Sequence, residues 1–303
     1  LAPRSRSGTT RAPRQSEDLI LEAAWLYYYE DRNQSEIAEQ LGVSRFARHH
    51  FAHALKQRFG LADVQLAPGD GGSLERVAHL AARALPDLLE PGDTLGVAWG
   101  QTVFTLSEQI APRPIADLTV VQLVGAVNSP YGFDSESCAS RIAAALGGRC
   151  VNLHVPAIVS SPAMAEALAR EHVIAAQLAE QSRINKVLFA VGSCNADSHI
   201  VSSGIADLGS LAEYRARGAV GLICSRFIDR AGDHLVGPLD ERMIGLAPDG
   251  MRGLSVGILV SCGPEKTVGM HAALLGGYAT HLFTDVPTAA GILALAEAEA
   301  ASG

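Results

Sequence analysis

From residue 61 onward the chain alternates short apolar runs with longer stretches of helical periodicity, and most junctions carry a glycine or proline. A run that is apolar along its whole length fits a strand covered on both faces, because a strand with one wet face would alternate. Six such runs, at 94–99, 118–124, 149–155, 186–191, 256–261 and 280–283, predict strands. Helical spacing predicts helices at 74–89, 102–110, 138–146, 162–181, 265–275 and 287–298. Strands separated by helices are joined by crossovers rather than hairpins. The pattern therefore predicts an α/β domain over 61–303, with a mostly parallel, Rossmann-like sheet and helices on both faces.

Composition narrows the functional classes. With 303 residues, 48% hydrophobic and 18% charged, the chain can bury one large core and a small one without staples. Its five cysteines, Cys138, Cys150, Cys194, Cys224 and Cys262, are far apart, with no C-x-x-C pair and no histidine at ligand spacing. Free thiols are expected, with no disulfide framework, metal site or cofactor. No apolar run is long enough to span a bilayer and no signal-peptide pattern is present, so no membrane partner and a cytoplasmic location are expected. There is no H-E-x-x-H, G-x-S-x-G or Walker pattern, and the glycines of 92–100 lack dinucleotide-site spacing. No motif demands catalysis.

The formal charge of -8 is unevenly spread: residues 1–58 carry 9 Lys+Arg against 7 Asp+Glu, and the remainder is at -10. Only the N-terminal part suits nucleic-acid phosphates. Residues 1–16 form an Arg-, Pro- and Ser-rich tail, expected to be disordered for want of apolar surface. Helical spacing begins at Glu17, and Asn33-Gln34-Ser35-Glu36 has the form of a capping box opening a second helix. That helix is short: Ile37, Ala38 and Leu41 are followed by Gly42, which permits a sharp turn, and by Val43-Ser44, which can start a third. Residues 17–60 thus read as a small all-α helix-turn-helix segment and linker helix, the alternative being an ordinary helical hairpin. Gln34, Ser35, Ser44, Arg45 and Arg48 are the DNA-binding candidates, with operator DNA as partner.

Three strand-to-helix turns in the large domain suit anions, since the free amides and positive dipole at a helix start attract phosphate. They are Trp99-Gly100-Gln101-Thr102, Gly192-Ser193-Cys194-Asn195 and Cys262-Gly263-Pro264-Glu265-Lys266. In open α/β sheets such turns lie at the carboxyl edge, where ligands bind. Lys266 opposes the dipole of its predicted helix, and a bound anion would explain it. Asp229 either accepts from sugar hydroxyls or stabilises its own turn.

These pieces resemble the SorC family of sugar-responsive bacterial regulators over about residues 17–295. The resemblance lies in Ala24-Trp25-Leu26-Tyr27-Tyr28-Tyr29 with Gln34-Ser35-Glu36-Ile37-Ala38, in Leu95-Gly96-Val97-Ala98-Trp99-Gly100-Gln101-Thr102, and in Gly218-Ala219-Val220-Gly221. It continues through Phe227-Ile228-Asp229-Arg230-Ala231-Gly232, Cys262-Gly263-Pro264-Glu265-Lys266, Ala272-Ala273-Leu274-Leu275-Gly276-Gly277-Tyr278 and Leu282-Phe283-Thr284-Asp285. The resemblance implies a sugar-phosphate isomerase-like fold, a homodimer or homotetramer, and a phosphorylated sugar or polyol effector over the sheet's carboxyl edge. The effector-binding candidates are then Gly100, Gln101, Thr102, Asn128, Gly192, Ser193, Asp229, Gly263 and Lys266.

Two departures stand out. Family members continue after the Ser-Arg of the recognition helix with a longer helix and a β-wing, whereas here Arg45-Phe46 runs straight into 47–61, which looks like the linker helix and entry strand of the effector domain. Either residues are missing, or DNA binding is poor, or residues 46–59 form the third helix, with Phe51, Ala54, Leu55 and Phe59 on its apolar side. Cys262 stands where family members more often have Gly, and a side chain there is expected to narrow the pocket or change which effector fits. The competing readings are a sugar-phosphate isomerase or deaminase using Asp229 or Asp285 as base, and an effector-binding protein without DNA activity.

Overall fold

A computed structural model of the chain describes residues 45–68, 73–130 and 132–302. The expected tail and the helix-turn-helix at 17–44, with Gln34, Ser35 and Ser44, lie outside the described residues.

Seven parallel strands form one sheet in the order β1 (Asp63–Ala67), β9 (His281–Asp285), β8 (Val256–Val260), β5 (Lys186–Phe189), β2 (Thr94–Val97), β3 (Thr119–Gln122) and β4 (Arg149–Val151). All six predicted strands are present, and most end earlier than expected because the chain turns off the sheet at its carboxyl edge. The edge strand β1 starts just beyond the entry strand expected by residue 61, and is not among the six apolar runs. It is hydrogen-bonded on one side only, to β9, and its Asp63 and Gln65 interrupt the apolar run that marks a central strand. Unpredicted is an antiparallel pair, β6 (Gly221–Ile223) and β7 (Arg226–Ile228), too short for any periodicity to register.

Ten α-helices accompany these strands among the described residues: α1 (Arg45–Phe59), α2 (Ser73–Ala84), α3 (Gln101–Ser107), α4 (Ser135–Leu146), α5 (Pro162–Arg170), α6 (His172–Gln181), α7 (His199–Ser202), α8 (Leu208–Ala216), α9 (Thr267–Leu275) and α10 (Val286–Ser302). The single helix expected at 162–181 is two, because Glu171 takes ψ 132° and breaks the ladder between α5 and α6. Side-chain oxygens start several helices. Asp134 accepts from the Ser137 amide at 2.6 Å, Ser161 from Met164 at 3.2 Å and Asp207 from Ser210 at 2.7 Å, each relieving an amide with no partner inside its helix.

Alternate residues of each strand feed two cores on opposite sheet faces. On β5, Leu188 packs in a cluster with Val77, Val103 and Ile142 of α2, α3 and α4. Its neighbours Val187 and Phe189 pack with Phe51, Met270 and Ala289 of α1, α9 and α10. This two-sided burial explains why the central strands read as continuous apolar runs.

Helix α1 belongs to this packing. Phe51 and Leu55 are buried in the core, and Ala54 and Phe59 pack against it, so the apolar side of 46–59 docks on the α/β domain. The packed body therefore begins before residue 61. His49, His53 and Lys56 are exposed and Arg48 half-buried, which leaves a basic side facing outward.

Topology fixes where a ligand fits. From β2 the chain winds outward through β3 to β4, then returns to place β5 on the opposite side of β2 and continues toward β8 and β9. The connections leaving β2 and β5 thus diverge and open a crevice at the carboxyl edge of the sheet.

Candidate functional site

That crevice is a cavity of about 430 Å³. Trp99, Gly100, Gln101 and Thr102 line it from the end of β2, residues 190–193 from the end of β5, and Glu265 and Lys266 from the turn after β8. The three turns singled out in the sequence converge here. Gly100 has φ 141°, a conformation closed to side-chain-bearing residues, and it lets the chain leave β2 and enter α3 at once. Lys266 ends a short 3-10 turn, Pro264–Lys266, at the start of α9, where the helix's first amides have no intrahelical partner.

Six of the nine candidate effector residues line the cavity: Gly100, Gln101, Thr102, Gly192, Ser193 and Lys266. Gly263 is just outside, its amide donating to Thr288 Oγ1 at 3.0 Å. Asn128 is exposed in the loop after β3 and is not part of the lining. Nor is Asp229, whose Oδ1 accepts from the amides of Ala231 at 3.0 Å and Asp233 at 2.9 Å. That is the turn-stabilising arrangement, so Oδ1 is engaged within its own turn, outside the lining. Cys262 is packed in the core on the α2–α4 face, so its side chain does not narrow the cavity.

The structure adds residues that the sequence did not mark. Asn195, Asp197, Ser198 and His199 enter from the loop that starts α7, and Leu222, Cys224 and Ser225 from the β6–β7 hairpin. The hairpin reaches the cavity because Leu222 exchanges two backbone hydrogen bonds with Gly192, at 2.9 and 3.0 Å, which pins β6 to the end of β5.

The electrostatics are mixed. Burial pushes the His199 imidazole below its ordinary value and nearby Lys266 pushes it further, while Asp197 acts in the opposite sense. His199 is thereby held neutral at pH 7, able to donate from one ring nitrogen and accept at the other. Glu265 lies 3.7 Å from the Lys266 ammonium, beyond ordinary hydrogen-bond length, so the ammonium retains donors for a ligand. The lining thus combines a cation, backbone amides, hydroxyls, two amide side chains, carboxylates, an imidazole, aliphatic groups and one indole.

Neither base of the enzyme reading reaches this cavity. Asp229 is held in its turn, and Asp285 is buried where Oδ1 accepts from the Thr288 amide at 2.9 Å. All five thiols are free, and no helix among the described residues is long and apolar enough to cross a membrane.

Comparison with known proteins agrees with this geometry. The sugar-binding domain family matches residues 46–294, a span that starts within α1 and ends within α10. The transcriptional regulator YjhU of Escherichia coli K12 is 32% identical, over 92% of this chain and 95% of its own length. The deoxyribonucleoside regulator of Bacillus subtilis is 26% identical, over 91% of this chain and 97% of its own length. In fold, the full-length sorbitol operon regulator SorC of Klebsiella pneumoniae superposes with a TM-score of 0.74 at 24% identity, covering 92% of this chain and 99% of that one. The chain belongs to the SorC/DeoR family of sugar-binding transcriptional regulators, and is a regulator rather than an enzyme.

Proposed function

We propose that the cavity binds a phosphorylated sugar or polyol and that its occupancy sets the affinity of the protein, as a homodimer or homotetramer, for operator DNA. The observation carrying this reading is the convergence of Lys266 with the turns after β2, β5 and β8 on one cavity at the switch point of the sheet. Lys266 and the amides at the start of α9 suit the phosphate. Asp197, Asn195, Gln101 and Ser193 suit hydroxyls, the carboxylate accepting and the amide and hydroxyl groups both donating and accepting. DNA contact is assigned to the N-terminal segment, with Gln34, Ser35, Ser44, Arg45 and Arg48 as the residues to test. Effector control then requires that the ligand bind one subunit arrangement better than another.

The test is a thermal-shift screen of the full chain against phosphorylated sugars and polyols and their unphosphorylated parents. At a hundredfold excess over Kd a ligand stabilises by about 2.7 kcal/mol. For a domain of this size that raises Tm by roughly 5–10 °C. Lys266→Ala is expected to abolish the shift given by a phosphorylated compound. A shift that survives in Lys266→Ala, or one given equally by the unphosphorylated parent, refutes the assigned phosphate site. Fluorescence anisotropy with promoter fragments at low salt, with and without that compound, tests DNA control; binding indifferent to the compound refutes it.

A further inference from the structure

The β6–β7 hairpin turns through two residues, Cys224 and Ser225, at φ 50° and 63°. A two-residue hairpin with both central residues at positive φ is a type I′ turn, which favours Asn-Gly because other side chains are strained there. Strain of this kind persists where the surroundings hold it in place, and it clusters at ligand sites. Both turn residues line the cavity. Ser225 is also bonded across the cavity wall: its Oγ accepts from Trp99 Nε1 at 2.7 Å. Phe133 lies against the same indole at 6.3 Å between ring centroids and meets His199 edge-on at 5.1 Å. Held at its edge by Ser225 and flanked by Phe133, the indole is a fixed aromatic wall in a cavity whose lining mixes polar groups with the aliphatic side chains of Val191, Ile200 and Leu222.

We propose that Ser225 is a positioning residue whose hydroxyl fixes the Trp99 indole as a platform for the carbon chain of the effector. A polyol or sugar has C–H faces as well as hydroxyls, and an ordered aromatic surface contacts them at little entropic cost. Glycine at 225 would relieve the positive φ but could not accept from the indole, so the hydroxyl accounts for a strained residue at this turn. This inference rests on reading the cavity as the effector site.

The chain has two tryptophans, Trp25 and Trp99, so a Trp25→Phe background makes Trp99 the only indole reporter. In that background Ser225→Gly is expected to keep or raise Tm, to red-shift Trp99 emission and to lower its anisotropy. Binding of the phosphorylated compound selected by the thermal screen is expected to weaken at least fivefold, while binding of inorganic phosphate, which has no carbon chain, changes less than twofold. Ser225→Asn tolerates the turn and retains an acceptor, and should restore anisotropy and affinity. Loss of stability in step with affinity, or equal weakening for inorganic phosphate, would mean a merely structural role and overturn the proposal. If no phosphorylated compound binds the parent protein, the effector reading falls, and the positioning claim is decided without ligand: unchanged Trp99 anisotropy in Ser225→Gly overturns it.

Discussion

Replacing Asp240 with Asn should destabilise the protein by about 2.5–5 kcal/mol at neutral pH, and should do so less and less as the pH is lowered. Asp240 is the hub of a buried network. Its carboxylate accepts from Arg226 at 2.6 Å, His234 at 2.7 Å, the Gly237 amide at 2.8 Å and the Tyr214 hydroxyl at 3.2 Å. Burial alone would raise its pKa, but the bonds from His234, Arg226 and Gly237 outweigh it and hold the carboxyl at about 2 against an ordinary 3.8. That drop corresponds to about 2.5 kcal/mol in favour of the ionised form. Asparagine forfeits this and also leaves Arg226, 7% exposed, without its counter-charge, which in buried pairs costs about 3–5 kcal/mol. Because the folded pKa lies below the unfolded one, the contribution is complete well above pH 3.8 and is lost as the pH falls toward 2. Urea unfolding of parent and variant at pH 7, 5 and 3 should give equal gaps at the first two and a smaller one at the third. A penalty under about 1 kcal/mol at pH 7, or a gap that does not shrink at pH 3, would refute the reasoning. Arg226 directly follows Ser225, so the same variant should also loosen the turn beside Trp99 and weaken effector binding.

Other consequences can be checked independently. Leu55→Ala in α1 removes a fully buried side chain and should cost about 2–5 kcal/mol in chemical denaturation. Amide exchange in α1 should then be as slow as in β1 in the parent protein, and rapid exchange confined to α1 would show that it is not part of the core. Gly232→Ala should destabilise by more than about 2 kcal/mol, because φ is +83° and an added Cβ would sit 2.2 Å from the Ala272 carbonyl oxygen. An unchanged Tm would refute that close approach.

The central strands were legible in the sequence because both their faces are buried: β5 is Lys-Val-Leu-Phe with every residue covered, and β8 is nearly so. Edge strand β1 did not stand out as an apolar run, since one row of its backbone groups and two of its side chains are polar or open. The three strand-to-helix turns were legible as lying at the carboxyl edge, because glycine after a strand marks that edge wherever the strand lies in the order. What the sequence did not show was which other loops fold over that edge. Asp197 and His199 sit in a segment without periodicity, and the hairpin turns on Cys-Ser, a pair that carries no turn signal of its own. Asp229 was recognisable as a turn residue or a ligand but not as one over the other, and geometry gives it the turn.

The pairing of β1 with β9, Asp63 opposite His281, has a consequence for how the protein is made. One edge of the sheet, and the seat of α1 against α10, form only once residues 281–302 have been made. Pairing across so long a stretch of chain is slow. A chain halted before β9 would lack the neighbour of β1 and the α10 surface against which α1 packs. β1 and β9 are the first and last strands of the sheet in sequence, so this edge and the seat of α1 are completed together, late in folding.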